Sequence, residues 1–339
     1  MTIKRKKKHG RVYLEEYRSV RINGKVKSIY VRSLGPENPV PEAKQSKPRI
    51  LDRLEHSSSY RTGDIALLFK IAQQLNYIDI IDGICCGETG IEGPSPGKIL
   101  TVWAINRVID PLSATELENW VPTTYLPQLL AINPADFTKS AFLTSLDFIC
   151  YDDRKSGSIQ DYTAKIDDAL YRRWREIHPL QRGERETLAY DLTSILFFGV
   201  KCPLAELSHN AEGIKRQQAN VALVVSRKDK YPVTHFVYEG KRNGVSTIKN
   251  LISRLQKSSV EPGTLIWDRG NVSNELVNIV DDAHWKLICG VPKSRKEVKD
   301  IIKHTKIDYS WDSLVRTGKK AHIYAVTLQR ELYGKERSV

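Results

Sequence analysis

The chain has 339 residues, 40% of them hydrophobic and 27% charged, enough for one large domain or two with ample core. Fifty-three Lys and Arg against 40 Asp and Glu leave a net charge of +13, which favours a polyanionic partner, most often nucleic acid, over an acidic or neutral one. The five cysteines, Cys85, Cys86, Cys150, Cys202 and Cys289, lack C-x-x-C spacing, which argues against structural zinc and a disulfide framework and for reduced, mostly buried thiols.

The N-terminus opens with Lys4-Arg5-Lys6-Lys7-Lys8 and has no apolar run behind it, unlike a secretory signal. No stretch approaches the roughly 18 apolar residues of a membrane span, so the expected location is the cytoplasm, in association with the nucleoid. The basic arm over residues 1–9 reads equally as a solvated tail or as a segment that tracks phosphates. Two alternating β runs follow, Arg11–Ile22 and Lys25–Arg32, on either side of Asn23-Gly24, a strong short-range hairpin signal. One face is expected to carry Arg18, Arg21, Lys25, Lys27 and Arg32, with Tyr13, Tyr17 and Tyr30 nearby. A basic ribbon of this kind can enter a major groove or lie along a backbone.

Residues 36–60 contain Pro36, Pro39, Pro41 and Pro48 among Ser and Lys, the composition of an extended linker. The period then becomes helical. Thr62 or Asp64 would cap a helix over 65–75, and further helices are predicted at about 98–109, 113–119 and 138–150. Another is expected from Ser158 to Ile177, with Ile159, Tyr162, Ile166, Leu170, Trp174 and Ile177 on its core face.

From Thr187 the pattern is that of strands. The run 187–199 is apolar for most of its length but contains Asp191, a carboxylate that is costly to bury unless paired or bound to a cation. By itself such an Asp reads as a local turn cap. Strands at 217–226 and 233–239, a helix at 246–257, a strand at 264–267, a short helix at 273–282 and a strand at 285–290 complete a β-β-β-α-β-α-β order. Right-handed crossovers then allow the fourth strand to lie beside the first, bringing Asp268 toward Asp191. Two carboxylates that close repel unless a cation sits between them, and hard oxygen ligands suit Mg²⁺ or Mn²⁺. Paired ions of this kind can activate water or a 3′-hydroxyl and stabilise the leaving oxygen of a phosphodiester.

The segment order resembles the ribonuclease-H-like core of DDE transposases of insertion sequences, and more narrowly the insertion-sequence-four superfamily. The resemblance is carried by Tyr190-Asp191-Leu192-Thr193-Ser194, Gln217, Tyr238-Glu239-Gly240, Asp268-Arg269-Gly270 and Gly290-Val291-Pro292-Lys293. It implies a mixed α/β sheet over 187–293 as the catalytic core. It further implies a helical DNA-end-binding region over 61–180, and the start of an incomplete β-rich insertion over 294–339, after the arm and hairpin of 1–35 and the linker of 36–60. Asp191 and Asp268 match the first two acids of the family's triad and its metal ligands. Arg269, Thr193 and Ser194 match positions near metal and DNA. The third acid, a Glu in a Tyr-x-x-Arg-x-x-x-Glu signature, is not found: Thr327 stands where Tyr324 would require Arg, and Glu336 where Tyr333 would.

The expected activity is therefore binding of element ends and, in the complete protein, metal-dependent cleavage and strand transfer, by a homodimer on DNA. Terminal inverted repeats and target DNA would be the partners. Lys4, Arg5, Lys6, Lys7, Arg18, Arg21, Arg269, Lys293 and Arg295 are the candidate DNA contacts. The alternative is a catalytically inactive DNA-binding regulator of transposition, and the third reading is another ribonuclease-H-like nuclease.

Overall fold

The computed structural model describes residues 1–22, 25–38, 59–86, 93–153, 158–199, 202–209, 213–242, 244–268, 272–306, 314–317 and 322–339. Contacts divide the chain into two units, Met1–Ser59 and Tyr60–Val339.

In the first unit the basic arm is a strand. β1 (Thr2–Lys8) pairs with β2 (Arg11–Ile22), and β2 with β3 (Lys25–Pro36), in an antiparallel sheet of order β1-β2-β3. His9 and Gly10 take φ of 50° and 77° between the paired Lys8 and Arg11, which is the backbone of a tight hairpin turn. That turn lacks an Asn-Gly signature and was not anticipated. Ile22 pairs with Lys25 as expected, while Asn23 and Gly24 lie outside the described residues.

The register corrects the expected face. Tyr17 opposes Tyr30, Arg21 opposes Val26 and Val20 opposes Lys27, so Arg21 shares a face with the two tyrosines. Arg18, Lys25 and Lys27 occupy the other face, because a strand alternates strictly. Glu15 is buried at the sheet's centre, where it accepts hydrogen bonds from Lys8 Nζ (3.1 Å) and the Tyr17 hydroxyl (2.9 Å).

The second unit begins with helices α1 (Gly63–Gln74), α2 (Tyr77–Cys85), α3 (Pro96–Ile109), α4 (Ala114–Trp120), α5 (Leu126–Leu130) and α6 (Lys139–Asp147). The starts of α3, α4 and α6 are locally encoded. Ser95 caps α3 with Pro96 at the first position, Ser113 and Glu116 form a capping box on α4, and Thr138 accepts from the Ala141 amide on α6. Helix α2 was not anticipated. Asn76 turns the chain through φ 51° at the end of α1. Gly97 then lets α3 lie so close that a Cβ would sit 2.6 Å from the Ile78 carbonyl.

The expected helix over 158–177 loses its first turn. Cys150–Asp153 (β4) and Ser158–Asp161 (β5) form a small antiparallel pair, and α7 runs from Thr163 to Ile177. Asp161 accepts from both the Thr163 amide (2.9 Å) and hydroxyl (2.6 Å), which sets that start. Ile159 is accordingly 71% exposed rather than in the core.

The central sheet contains β6 (Thr187–Leu196), β7 (Glu206–His209), β8 (Lys215–Ser226), β9 (Pro232–Glu239), β10 (Thr264–Trp267) and β11 (Lys286–Cys289), in the order β11-β10-β6-β8-β7 with β9 also paired to β8. β10 is parallel to β6 and β11, whereas β6, β8 and β9 are antiparallel neighbours. Leaving aside the short β7, this is the mixed sheet of a ribonuclease-H-like core. Helices α8 (Gly244–Gln256) and α9 (Asn274–Asp282) join its later strands.

One sheet face is sealed. Leu188, Tyr190, Ala222, Val224, Leu265 and Trp267 pack with Ile248, Leu251 and Leu255 of α8 and Leu276 and Val280 of α9. Each such fully buried aliphatic side chain contributes about 1.5–3 kcal/mol. The opposite face is open, with Leu223, Val237 and Ile288 between 41% and 57% exposed.

Beyond β11 the chain forms a helix, α10 (Lys296–His304), where the start of a β-rich insertion is expected. Two small hairpins follow, β12 (Leu314–Thr317) with β13 (His322–Tyr324) and β14 (Gln329–Leu332) with β15 (Lys335–Ser338). All five cysteines are free; Cys86 is buried but Cys150 is exposed, contrary to the expectation of mostly buried thiols. No helix among the described residues is long and apolar enough to cross a membrane.

Candidate active site

Asp191 sits midway along β6, where alternation turns it away from the core. Leu188 and Tyr190 are buried, while Asp191 and Thr193 are exposed. On β10, Leu265 and Trp267 are buried and Asp268, one residue past the strand, is exposed. The two strands pair in parallel as Thr264 with Thr187, Leu265 with Leu188 and Ile266 with Ala189. The same register carried on by two residues brings Asp268 level with Asp191, on strands about 4.8 Å apart. Both carboxylates belong to the open face.

Hydrogen bonds anchor the strand that carries Asp191. The Tyr190 hydroxyl donates to Thr247 Oγ1 at 2.5 Å and ties β6 to α8, and burial pushes its phenol up to about 12. Asp191 Oδ1 accepts from the Leu192 amide at 2.9 Å, and Asp191 lies opposite Leu223 of β8.

Other positions singled out in the sequence divide by what they touch. Thr193 is exposed, as Asp191 is. Ser194 instead donates to Asn220 Oδ1 (2.9 Å), and Asn220 Nδ2 donates to the Gly240 carbonyl (3.2 Å). A Cβ on Gly240 would lie 2.0 Å from the Gln218 carbonyl oxygen, so glycine is required there by close backbone approach. The Ser194 and Tyr238–Gly240 matches thus form a bracket joining β6, β8 and the end of β9. Arg269 and Gly270 lie outside the described residues.

The candidate DNA contacts also separate. Lys4 stands over the Tyr17 ring at 4.6 Å, Lys6 and Lys8 approach Glu15, and Arg5 pairs with Glu37 at 2.5 Å. Lys7, Arg18 and Arg21 have no carboxylate partner among the described residues. Lys293 is exposed after β11. Arg295 is engaged internally: it stacks on Tyr333 at 4.3 Å and donates to Asn274 Oδ1 at 3.1 Å.

Two polar clusters were missed in the sequence. Asp167 of α7 accepts from the Thr234 hydroxyl (2.9 Å) and the His235 amide (3.1 Å), and lies 3.1 Å from His235 Nδ1. Its hydrogen bond raises the His235 imidazole above the ordinary histidine value, against the lowering effect of burial. Glu186, just before β6, is buried with Tyr171, Arg175 and Ser226. No pattern flagged either cluster, because partners far apart in sequence make them.

Among the described residues no group of three or more His, Cys, Asp or Glu side chains is arranged to hold a metal ion. Two exposed carboxylates supply oxygen donors of the kind Mg²⁺ and Mn²⁺ prefer, and Asp191 and Asp268 are the residues that would hold such an ion.

No protein-family description and no curated protein matches this chain. Among solved structures it is similar to a piggyBac transposase in a synaptic complex with hairpin DNA, at 15% identity and a TM-score of 0.35, over 71% of this chain and 53% of that one. It is also similar to a Mos1 transposase in a paired-end complex with the left transposon end, at 11% identity and 0.24, over 61% of this chain and 62% of that one. A third is the Drosophila P element transposase strand transfer complex, at 11% identity and 0.26, over 68% of this chain and 48% of that one. The chain thus spans less than two-thirds of each. The structural similarity to transposases is distant, and it assigns no particular insertion-sequence family.

Proposed function

We propose that this chain is a DNA transposase of the DDE type, related to the insertion-sequence-four superfamily, which binds the ends of its element. One observation carries the reading. Asp191 on β6 and Asp268, the residue after its parallel neighbour β10, are both exposed, and the β10–β6 register carried two residues further would set them side by side. The net charge of +13 supports a nucleic-acid partner. Mg²⁺ or Mn²⁺ between the two acids would supply activation of water or a 3′-hydroxyl for phosphodiester cleavage. Arg269, next to Asp268 in the chain, and Lys293, exposed after β11, are assigned to the DNA backbone, together with the uncommitted cations of the N-terminal sheet. Synapsis of two ends calls for a homodimer on DNA, acting at the nucleoid in the cytoplasm.

The test uses the full chain with duplex DNA bearing candidate terminal repeats, with and without Mn²⁺. Salt-sensitive binding plus a metal-dependent nick that Asp191→Asn and Asp268→Asn each abolish supports the proposal. Binding without any nick leaves the chain as the DNA-binding regulator. Preferential cleavage of RNA–DNA hybrids or branched DNA, without end preference, would replace transposition with another nuclease activity.

A further inference from the structure

Asp191 of β6 pairs with Leu223 of β8, and Leu223 with His235 of β9, so the three residues form one row across neighbouring strands. Residues paired in this way lie on the same face, which makes His235 a residue of the open face that carries Asp191. Burial agrees with the register. Leu223 and Val237 are 41% and 51% exposed, while Thr234 and Tyr238, of opposite parity on β9, are buried. Two strand spacings separate the His235 and Asp191 backbones by roughly 10 Å.

The imidazole is held from one side. Nδ1 lies 3.1 Å from Asp167 Oδ2 of α7, and the His235 side chain is 41% exposed. With Nδ1 committed to the carboxylate, Nε2 is the ring atom left for a partner. The ring borders a groove of about 330 Å³ whose walls include Leu223 and Tyr77. The charged groups around it are Asp167, Arg254 of α8 and Asp161, of which both acids favour the imidazolium and Arg254 opposes it. Tyr77 and Tyr231 line the same groove. Burial pushes both phenols up, Tyr231 to about 12, so neither carries charge near neutral pH.

A DNA strand drawn to Asp191 and Asp268 meets like charge there, and a cationic donor beside the acids offsets it. In the row of Asp191, Leu223 and His235 the imidazolium is that donor. Its N–H to a phosphate oxygen is a charge-assisted hydrogen bond, stronger than a neutral one. We propose that His235, oriented by Asp167, donates from Nε2 to a backbone phosphate of the DNA strand that occupies the Asp191 face. At roughly 3.4 Å of helix axis per nucleotide, the separation from Asp191 spans about three nucleotides. The contact therefore falls on a phosphate near the reacting one, and His235 is a positioning residue that takes no part in bond breaking. The proposal rests on the DNA-binding reading above and adds a contact that switches with pH.

The experiment measures binding of the full chain to a fluorescein-labelled duplex bearing candidate terminal repeats, by anisotropy and without added divalent metal, so that no strand is cut. Salt series are run on either side of the His235 ring's midpoint, located by NMR on the same chain. The wild type is expected to bind more tightly below the midpoint. Its slope of log affinity against log salt should be steeper there by about 0.9, the share of one phosphate contact. His235→Gln, a neutral donor, should give the shallower slope at both pH values. His235→Lys, charged throughout, should give the steeper slope at both. Asp167→Asn, which leaves His235 itself in place, should move the binding transition to lower pH together with the ring's midpoint. If the wild type binds DNA with the same affinity and slope on both sides, the phosphate contact is overturned and the DNA-binding reading stands. The same holds if His235→Gln retains the wild-type change. If the wild type binds no DNA at either pH, both fall.

Discussion

Arg175 of α7 and Glu186, the residue before β6, meet with Nε 2.6 Å from Oε1, their side chains only 13% and 3% exposed. The Tyr171 hydroxyl donates to the same carboxylate oxygen at 2.7 Å and the Ser226 hydroxyl to the other at 3.1 Å. Arg175 also reaches Asp229 at 2.6 Å. The cluster fixes the last helix of the helical region to the root of the strand that carries Asp191.

Removing one member leaves a buried charge without its partner. Arg175→Ala or Glu186→Ala should destabilise the protein by about 3–5 kcal/mol in denaturant unfolding. A simultaneous replacement of both by apolar residues should lose distinctly less, because no unpaired charge remains. Equal losses for single and double replacements would show that packing, and not charge compensation, dominates at this contact.

Gly240 and Gly199 make a controlled comparison. A Cβ at Gly240 would meet the Gln218 carbonyl oxygen at 2.0 Å, whereas at Gly199 nothing lies within 4 Å. Gly240→Ala should lower stability by about 1–3 kcal/mol or more as the bracket with Asn220 opens. Gly199→Ala should stay within about 0.5 kcal/mol of the wild type. Urea midpoints measure both.

The Asp167–His235 contact gives a pH dependence of definite sign. The folded imidazole titrates above its ordinary value of 6.5, first because of the Asp167 hydrogen bond. The contribution of the charged pair is therefore complete below about that value and is lost as pH rises through the raised one. Arg254 and Asp161 also act on the ring, in opposite directions. An NMR titration of the His235 ring should show an elevated midpoint, and Asp167→Asn should bring it down. An unshifted midpoint in the wild type would remove this linkage.

The N-terminal sheet divides its cations between structure and binding. Lys8 and Lys6 serve Glu15, and Arg32 serves Glu16 at 2.8 Å, whereas Lys7, Arg18 and Arg21 have no acidic partner among the described residues. Replacing the latter three with Ala should flatten the salt dependence of DNA binding by up to about 0.9 per lost phosphate contact without unfolding the sheet. A slope unchanged by all three would free this sheet from any role in DNA binding.

The sequence by itself determined the elements whose signals are local. The alternating runs of β2 and β3, the capped helices α3, α4 and α6, and the strand and helix order from Thr187 to Cys289 apart from the short β7 were legible, because side-chain period and capping chemistry act within a few residues. It also located Asp191 as a polar interruption of an apolar strand and Asp268 just past the end of another. What only the tertiary structure decided depends on partners distant in the chain. The register of β10 on β6, carried two residues beyond Ile266 and Ala189, sets the two acids level on one face. A one-residue slip would have set them on opposite faces. Pairing with Cys150–Asp153 likewise turned Ser158–Asp161 from helix to strand, since ladder hydrogen bonds to a neighbouring segment override a helical period read from one segment alone.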